Sequence, residues 1–291
     1  MAYFFPLMNK GFSKYSVLYF EDLNYVTHVQ KTIELLICTE GELYVTIANK
    51  TFLMKKGSVC LIMDNTPHSY FTPIETHSKA LGITLYEQDV KFAFKQNNDN
   101  SFQDSIFCHD EKLIDDVVLL SNEIIKLDDY NSYQIVLGLS ITLLSIVSYS
   151  PKKEYIHNNP NDVTVNYVLQ YITDNIFKTQ SLDKVSSDLS FSKFYISRLF
   201  SDVIYVNYKK YVNALRMSGA KRLLVQTNYS ISDIAKECSF DSSRTFNREF
   251  VRYFNITPTA FRKERKNKKT IDVNSPYVLC EAQFNKKVDN D

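Results

Sequence analysis

Residues 193–200 read as a short helix with two unlike faces. At 100° per residue, Tyr195, Ile196, Leu199 and Phe200 share one side, and Lys193, Phe194, Ser197 and Arg198 take the other. The pattern recurs from Ser242 onward, with Phe246, Phe250 and Tyr253 inward and Ser243, Arg244, Asn247 and Arg248 outward. Ahead of the first helix, Ser181 is an N-cap for a short helix holding Leu182, Val185 and Leu189, followed by a turn at Ser190-Phe191-Ser192. Ahead of the second, Ser230-Ile231-Ser232-Asp233 is a capping-box pattern, and Cys238-Ser239-Phe240-Asp241 makes the turn. A short helix, a tight turn and a second helix with a polar, basic outer row is the equipment of a major-groove reader.

Other chemistry is poorly supported. No Gly-rich phosphate loop, Ser/His/Asp order or Cys/His arrangement stands out, so neither an enzyme nor a cofactor is expected. Cys38, Cys60, Cys108, Cys238 and Cys280 are odd in number, far apart and form no CxxC pair. They argue against zinc and against a disulfide framework, and read as buried thiols.

The elements that position the two outer rows lie mostly in the last third of the chain. Val165, Val168, Leu169, Ile172 and Ile176 make a helical stripe before the first unit. Between the units, residues 207–225 form an amphipathic stretch with Tyr208, Tyr211, Val212, Leu215, Ala220 and Leu223 on its buried side. At 1.5 Å per residue it would span roughly 28 Å, comparable with one turn of B-DNA at about 34 Å. Over 163–270 there are 19 Lys+Arg and 9 Asp+Glu, a balance of +10 within a chain whose net charge is +1. The remainder is therefore acidic, at −9, which fits a nucleic-acid module joined to a different one.

That other module begins with strands. Runs starting at Glu34, Glu42, Thr51 and Ser58 are separated by turn signals at Glu40-Gly41, Asn49-Lys50, Lys56-Gly57 and Asp64-Asn65-Thr66-Pro67. They predict an antiparallel sandwich or barrel, with an irregular stretch over 90–108. Leu113, Val117, Leu120, Ile124 and Leu127 then mark one helix, and Ile135, Leu139, Leu143 and Ile146 a second that is apolar on further faces through Val136, Leu144 and Val147. This pair either forms a subunit interface or is buried against the sheet. Residues 150–162 carry two prolines and no periodicity and read as a linker. No run of about 18 apolar residues suggests a membrane span, and the opening MAYFFPLMNKGF lacks a signal-peptide n-region. A cytoplasmic protein is expected.

Arg216-Met-Ser-Gly-Ala-Lys-Arg-Leu-Leu, Ser230-Ile-Ser-Asp-Ile-Ala, Ser239-Phe240, Phe246-Asn-Arg-Glu-Phe250 and Ile256-Thr-Pro-Thr-Ala-Phe-Arg262 together resemble the AraC/XylS-type regulators in order and spacing. The chain departs from the family pattern where glycine is usual, at Ser190, Tyr205, Ser239 and Asn255, and where alanine is usual, at Ser186. The resemblance implies base-edge contacts from Phe194, Ser197 and Arg198 and from Ser243, Arg244, Asn247 and Arg248, with Lys193, Lys209, Lys210 and Arg252 on phosphates. It also implies a transcription regulator, an activator by family habit, acting on double-stranded DNA with RNA polymerase as partner.

The early strands resemble, more loosely, the cupin-like regulatory barrel of that family. Metal-binding cupins use paired histidines, a Glu and a later His; here the pair reads His28-Val29-Gln30, with Glu34 and His68 remaining, so no metal is expected. A barrel interior lined by Phe20, Leu36, Tyr44, Ile62, His68 and Tyr70 either holds a small-molecule effector or is a filled core. The expected architecture is α+β and multidomain: a cupin-like antiparallel β-barrel over 1–108, a helical hairpin over 109–149 that is a candidate for homodimerisation, a linker over 150–162, an all-α DNA-binding domain with two helix-turn-helix units over 163–266, and a polar tail over 267–291.

Overall fold

The structure is a computed structural model and describes residues 16–30, 32–48, 50–85, 90, 104–128, 133–157, 162–178 and 181–265. The 267–291 tail, Cys280 and Asn49 of the Asn49-Lys50 turn lie outside these. The chain divides into two compact units, the second taking residues from Tyr167 on, together with Asn24–Thr27.

The strands are β1 (Ser16–Glu21), β2 (Tyr25–His28), β3 (Ile33–Ile47), β4 (Lys50–Lys55), β5 (Val59–Ile62), β6 (His68–Phe71), β7 (Ser78–Leu85), β8 (Ser105–Cys108) and β9 (Lys153–Ile156), all in the first unit except β2, of which only His28 belongs to it. β3 is the spine. Its first half pairs antiparallel with β5 and β7, its second half with β4 and β6. Glu40-Gly41 is not the expected hairpin turn. β3 runs straight through it, with a register shift between Cys38 and Glu40. Gly41 adopts φ +69, and a Cβ there would collide with the His77 carbonyl, so glycine alone suits the site.

Two further expectations are corrected. Ser105–Cys108, inside the stretch read as irregular, is β8, and Lys153–Ile156, inside the stretch read as linker, is β9. They pair with each other, and β8 with β5, so 153–156 extends the sheet at its edge. Helices α1 (Ile114–Asp128) and α2 (Tyr133–Tyr149) pack on one sheet face. Val117, Ile124, Val136, Leu143, Leu144 and Val147 join Ile33, Leu35, Ile37, Leu61, Leu81 and Ile83 in a single core. Burial against the sheet is thus realised for the α2 side carrying Val136, Leu144 and Val147. Of the other stripe, Ile135 is exposed.

The second unit is helical: α3 (Asp162–Asp174), α4 (Leu182–Leu189), α5 (Lys193–Asp202), α6 (Tyr208–Gln226), α7 (Ile231–Glu237), α8 (Ser243–Phe254) and α9 (Pro258–Arg265). α6 is buried almost all round rather than along one stripe, because Ala214, Met217, Ser218 and Leu224 are covered as well as the expected residues. Its one glycine, Gly219, lies under the Phe177 ring, where a Cβ would stand 2.7 Å from ring Cζ. The four buried described cysteines behave as small apolar groups; burial pushes the Cys38 and Cys238 thiols up to about 12.

Candidate nucleic-acid interface

Each expected helix start carries the cap its sequence prescribes. The Ser181 hydroxyl accepts from Lys184 N at 3.1 Å, Ser192 from Tyr195 N at 3.1 Å, Ser230 from Asp233 N at 3.0 Å and Ser242 from Thr245 N at 3.1 Å. Such caps stabilise a helix by about 1 kcal/mol each, which matters for α4 and α7, at 8 and 7 residues too short to persist alone. The turns between paired helices need left-handed backbone. Ser190 (φ 58) and Ser239 (φ 56) supply it, as do Tyr205 (φ 59) and Asn255 (φ 53) after the two recognition helices. These are the four positions where the family usually has glycine.

On α5, Ile196, Leu199 and Phe200 are buried, and Phe200 meets Tyr208 and Tyr211 of α6 edge-on at 5.1 Å. Tyr195 does not join them. It is exposed and lies beside Phe191, ring centroids 5.1 Å apart, because it sits at the margin of the buried arc. Phe194, Ser197, Arg198 and Lys193 form the open row, Phe194 being 70% exposed. Lys193 pairs with Asp183 of α4. On α8, Phe246 and Phe250 anchor a run of rings with Phe240, Phe254 and Phe261, over which the buried Lys221 ammonium sits 4.3 Å from the Phe254 centroid. Tyr253 is only half-buried. Arg244, Asn247 and Arg248 are exposed, and Ser243 partly so.

The structure gathers the second unit's cationic residues with those at the start of α6. A groove of about 770 Å³ is lined by Lys209, Lys210, Arg248 and Arg252, together with Arg216, Asp241 and Glu249. Glu249 lies 3.6 Å from both Arg248 and Arg252. Arg216 belongs to the scaffold, donating from Nε to the Ile176 carbonyl at 3.1 Å and from Nη2 to Lys178 at 3.0 Å. Arg262 does the same for Leu224 and Tyr229 at 3.1 and 2.7 Å. These two arginines close helix C-termini rather than offering charge outward.

In the first unit, Phe20, Leu36, Ile62, His68 and Tyr70 are buried, but Tyr44 is not grouped with them. The register shift after Cys38 inverts the alternation of β3, so Leu43, Val45 and Ile47 take the inner side. Val45 stands opposite Tyr70 and Ile47 opposite His68, while Tyr44 pairs with Phe71 and Leu53 on the other face. The same interior brings together the three residues that the cupin resemblance singled out. Ligand atoms of His28, Glu34 and His68 lie within 4.8 Å of one another, all three residues buried. Gln30 Nε2 donates to Glu34 Oε2 at 3.0 Å. Burial, then the neighbouring Glu34, raises the Tyr70 phenol well above its ordinary range.

Known proteins match both units. The sequence model of a helix-turn-helix domain matches residues 185–264, and that of an AraC-like ligand binding domain matches residues 16–86. The Transposon Tn10 TetD protein of Escherichia coli is 31% identical over 112 residues, 38% of this chain and 81% of that protein. An uncharacterised HTH-type transcriptional regulator of Staphylococcus aureus is 31% identical over 147 residues, 50% of this chain; the chain spans 19% of that relative's length. Apo ToxT of Vibrio cholerae shares the fold, with a TM-score of 0.54 at 15% identity over 88% of this chain and 99% of that one. The caps, the paired helical units and these matches agree: the chain belongs to the AraC/XylS-type family of transcription regulators.

Proposed function

We propose that the chain is a one-component regulator that reads double-stranded DNA through α5 and α8 and activates transcription under control of a small molecule bound in the N-terminal barrel. The observation that carries the reading is the pair of capped helices with exposed outer rows, Phe194, Ser197 and Arg198 on one and Ser243, Arg244, Asn247 and Arg248 on the other. Arginine forks suit guanine O6 and N7, and Asn247 suits adenine. Phe194, exposed on the same row, suits a thymine methyl. Lys193, Lys209, Lys210 and Arg252 serve phosphates and set the register. A homodimer through α1 and α2, contact with RNA polymerase and action in the cytoplasm complete the proposal.

The test begins with a binding site selected from random DNA. Arg198→Ala and Arg248→Ala should each weaken binding to that site by roughly tenfold to a hundredfold, at about 1–3 kcal/mol per bidentate contact, and random DNA by much less. Equal losses on both DNAs would reassign these arginines to phosphates.

A further inference from the structure

We propose that His28, Glu34 and His68 form a binding site for one divalent transition-metal ion of the zinc class inside the first unit. The site is separate from the DNA-reading residues and does not depend on their assignment.

Three strands deliver the ligands: His28 ends β2, Glu34 lies near the start of β3 and His68 opens β6. The His68 ring is fixed from behind. Its Nδ1 lies 2.7 Å from the Thr66 carbonyl, and since a carbonyl only accepts, Nδ1 carries the proton. A metal-bound histidine is oriented in the same way, by donating its other nitrogen to a carbonyl or carboxylate. Nε2 is thereby aimed at Glu34, 3.4 Å from Oε2, yet makes no hydrogen bond despite being fully buried. Nε2 and the carboxylate oxygen thus converge as two buried ligand atoms with no hydrogen bond between them. A cation placed between the two would be held by both. Bonds of about 2.1 Å in tetrahedral geometry hold neighbouring ligand atoms roughly 3.4 Å apart, which matches the His68–Glu34 pair, and all three ligand atoms lie within 4.8 Å of one another. His28 completes the set, its ring centroid 4.1 Å from that of His68.

The donors select the ion. Two imidazoles and one carboxylate suit zinc, iron, nickel or cobalt, whereas calcium and magnesium favour oxygen shells. Gln30, bonded to Glu34 Oε2, holds the carboxylate as an outer partner. Gln30 stands where metal-binding cupins have a second histidine, so three ligands leave a fourth position for water or a ligand.

The full-length chain, carrying no histidine tag and stripped with a chelator, is titrated with Zn²⁺ against a chromophoric chelator and with Co²⁺ followed by visible absorption. One equivalent of each ion is expected, with cobalt d–d bands and a metal-dependent rise in melting temperature, while Mg²⁺ has no effect. Glu34→Gln and His68→Gln should each weaken Zn²⁺ binding roughly a hundredfold or more, whereas His77→Ala, on the half-exposed pair with Asp22, leaves it unchanged. Failure of the folded wild-type chain to take up one equivalent overturns the site. So does uptake that survives Glu34→Gln and His68→Gln in variants shown folded by circular dichroism. If those variants do not fold, the wild-type stoichiometry and cobalt spectrum decide.

Discussion

Arg198 and Asp202 are joined one turn apart on the exposed face of α5, Nε donating to Oδ2 at 3.0 Å. The guanidinium also lies 5.7 Å from the centroid of the Phe194 ring. The Ser201 hydroxyl, and after it Arg198, holds the Asp202 carboxyl below its ordinary range, so it is ionised at neutral pH. Arg198 is thus held in place by Asp202, a partner that DNA would have to displace if Arg198 reads bases as proposed, and one that would add a negative charge beside a phosphate. Asp202→Asn is expected to tighten binding to random DNA several-fold while narrowing its preference for the selected site. Fluorescence anisotropy on both DNAs reads both effects. Unchanged affinity for random DNA would mean the pair is already open in solution.

Lys210 and Arg248 share one groove but are assigned different work. A phosphate contact releases condensed counterions and carries no sequence information, so it acts on the salt dependence. Lys210→Ala should reduce the slope of log K against log salt by about 1 and weaken all DNAs alike. Arg248→Ala should instead reduce the ratio between selected and random DNA. Swapped behaviour would exchange the two roles.

The second unit was legible because its signals are local. Each N-cap serine sits three residues from the amide it accepts, and the buried helical faces repeat within one or two turns. The errors in the first unit have non-local causes. Tyr44 was grouped with Leu36 by simple alternation, and one register shift between Cys38 and Glu40 sent them to opposite faces. β9 has no strand-like alternation of its own and exists because β8 offers it a partner about 50 residues away. His28, Glu34 and His68 come from three different strands, and no local pattern announces their convergence.

Ser190 and Ser239 share a left-handed backbone, yet glycine should stabilise the first more than the second. Left-handed conformation costs an L-residue about 1–2 kcal/mol, part of which glycine returns through its freer unfolded chain. Ser190 is exposed, so Ser190→Gly should stabilise the second unit by about 0.5–1 kcal/mol. The Ser239 hydroxyl donates to the Phe177 carbonyl, so Ser239→Gly removes a bond that offsets the gain. Urea unfolding of both variants compares them. Two equal gains would show that the Ser239 bond is worth little.

Ser186 stands where the family usually has alanine, and its buried Oγ has no hydrogen-bond partner. A buried polar group without a partner costs about 1–3 kcal/mol. Ser186→Ala should raise stability by about 1 kcal/mol without altering DNA affinity. A loss of stability in the same urea titration would mean that the hydroxyl is satisfied in solution.

Asp110 ties the entry of the helical hairpin to its exit. Its Oδ1 accepts from Lys112 N at 3.1 Å, and its Oδ2 from the Ser150 hydroxyl at 2.7 Å. Both bonds favour the charged form, Ser150 foremost, and hold the carboxyl below its ordinary value of 3.8. In the window between that value and the lower folded one, the unfolded chain binds the proton and the folded chain does not. The carboxylate's contribution is therefore complete above about pH 4 and is lost as pH falls through the folded value. Asp110→Asn keeps the shape but not the charge. Its melting temperature should lie below wild type by a constant margin from pH 7 to 5, and the margin should shrink steadily below pH 4. A margin unchanged down to pH 2 would assign the effect to the geometry of the cap, with no contribution from its charge.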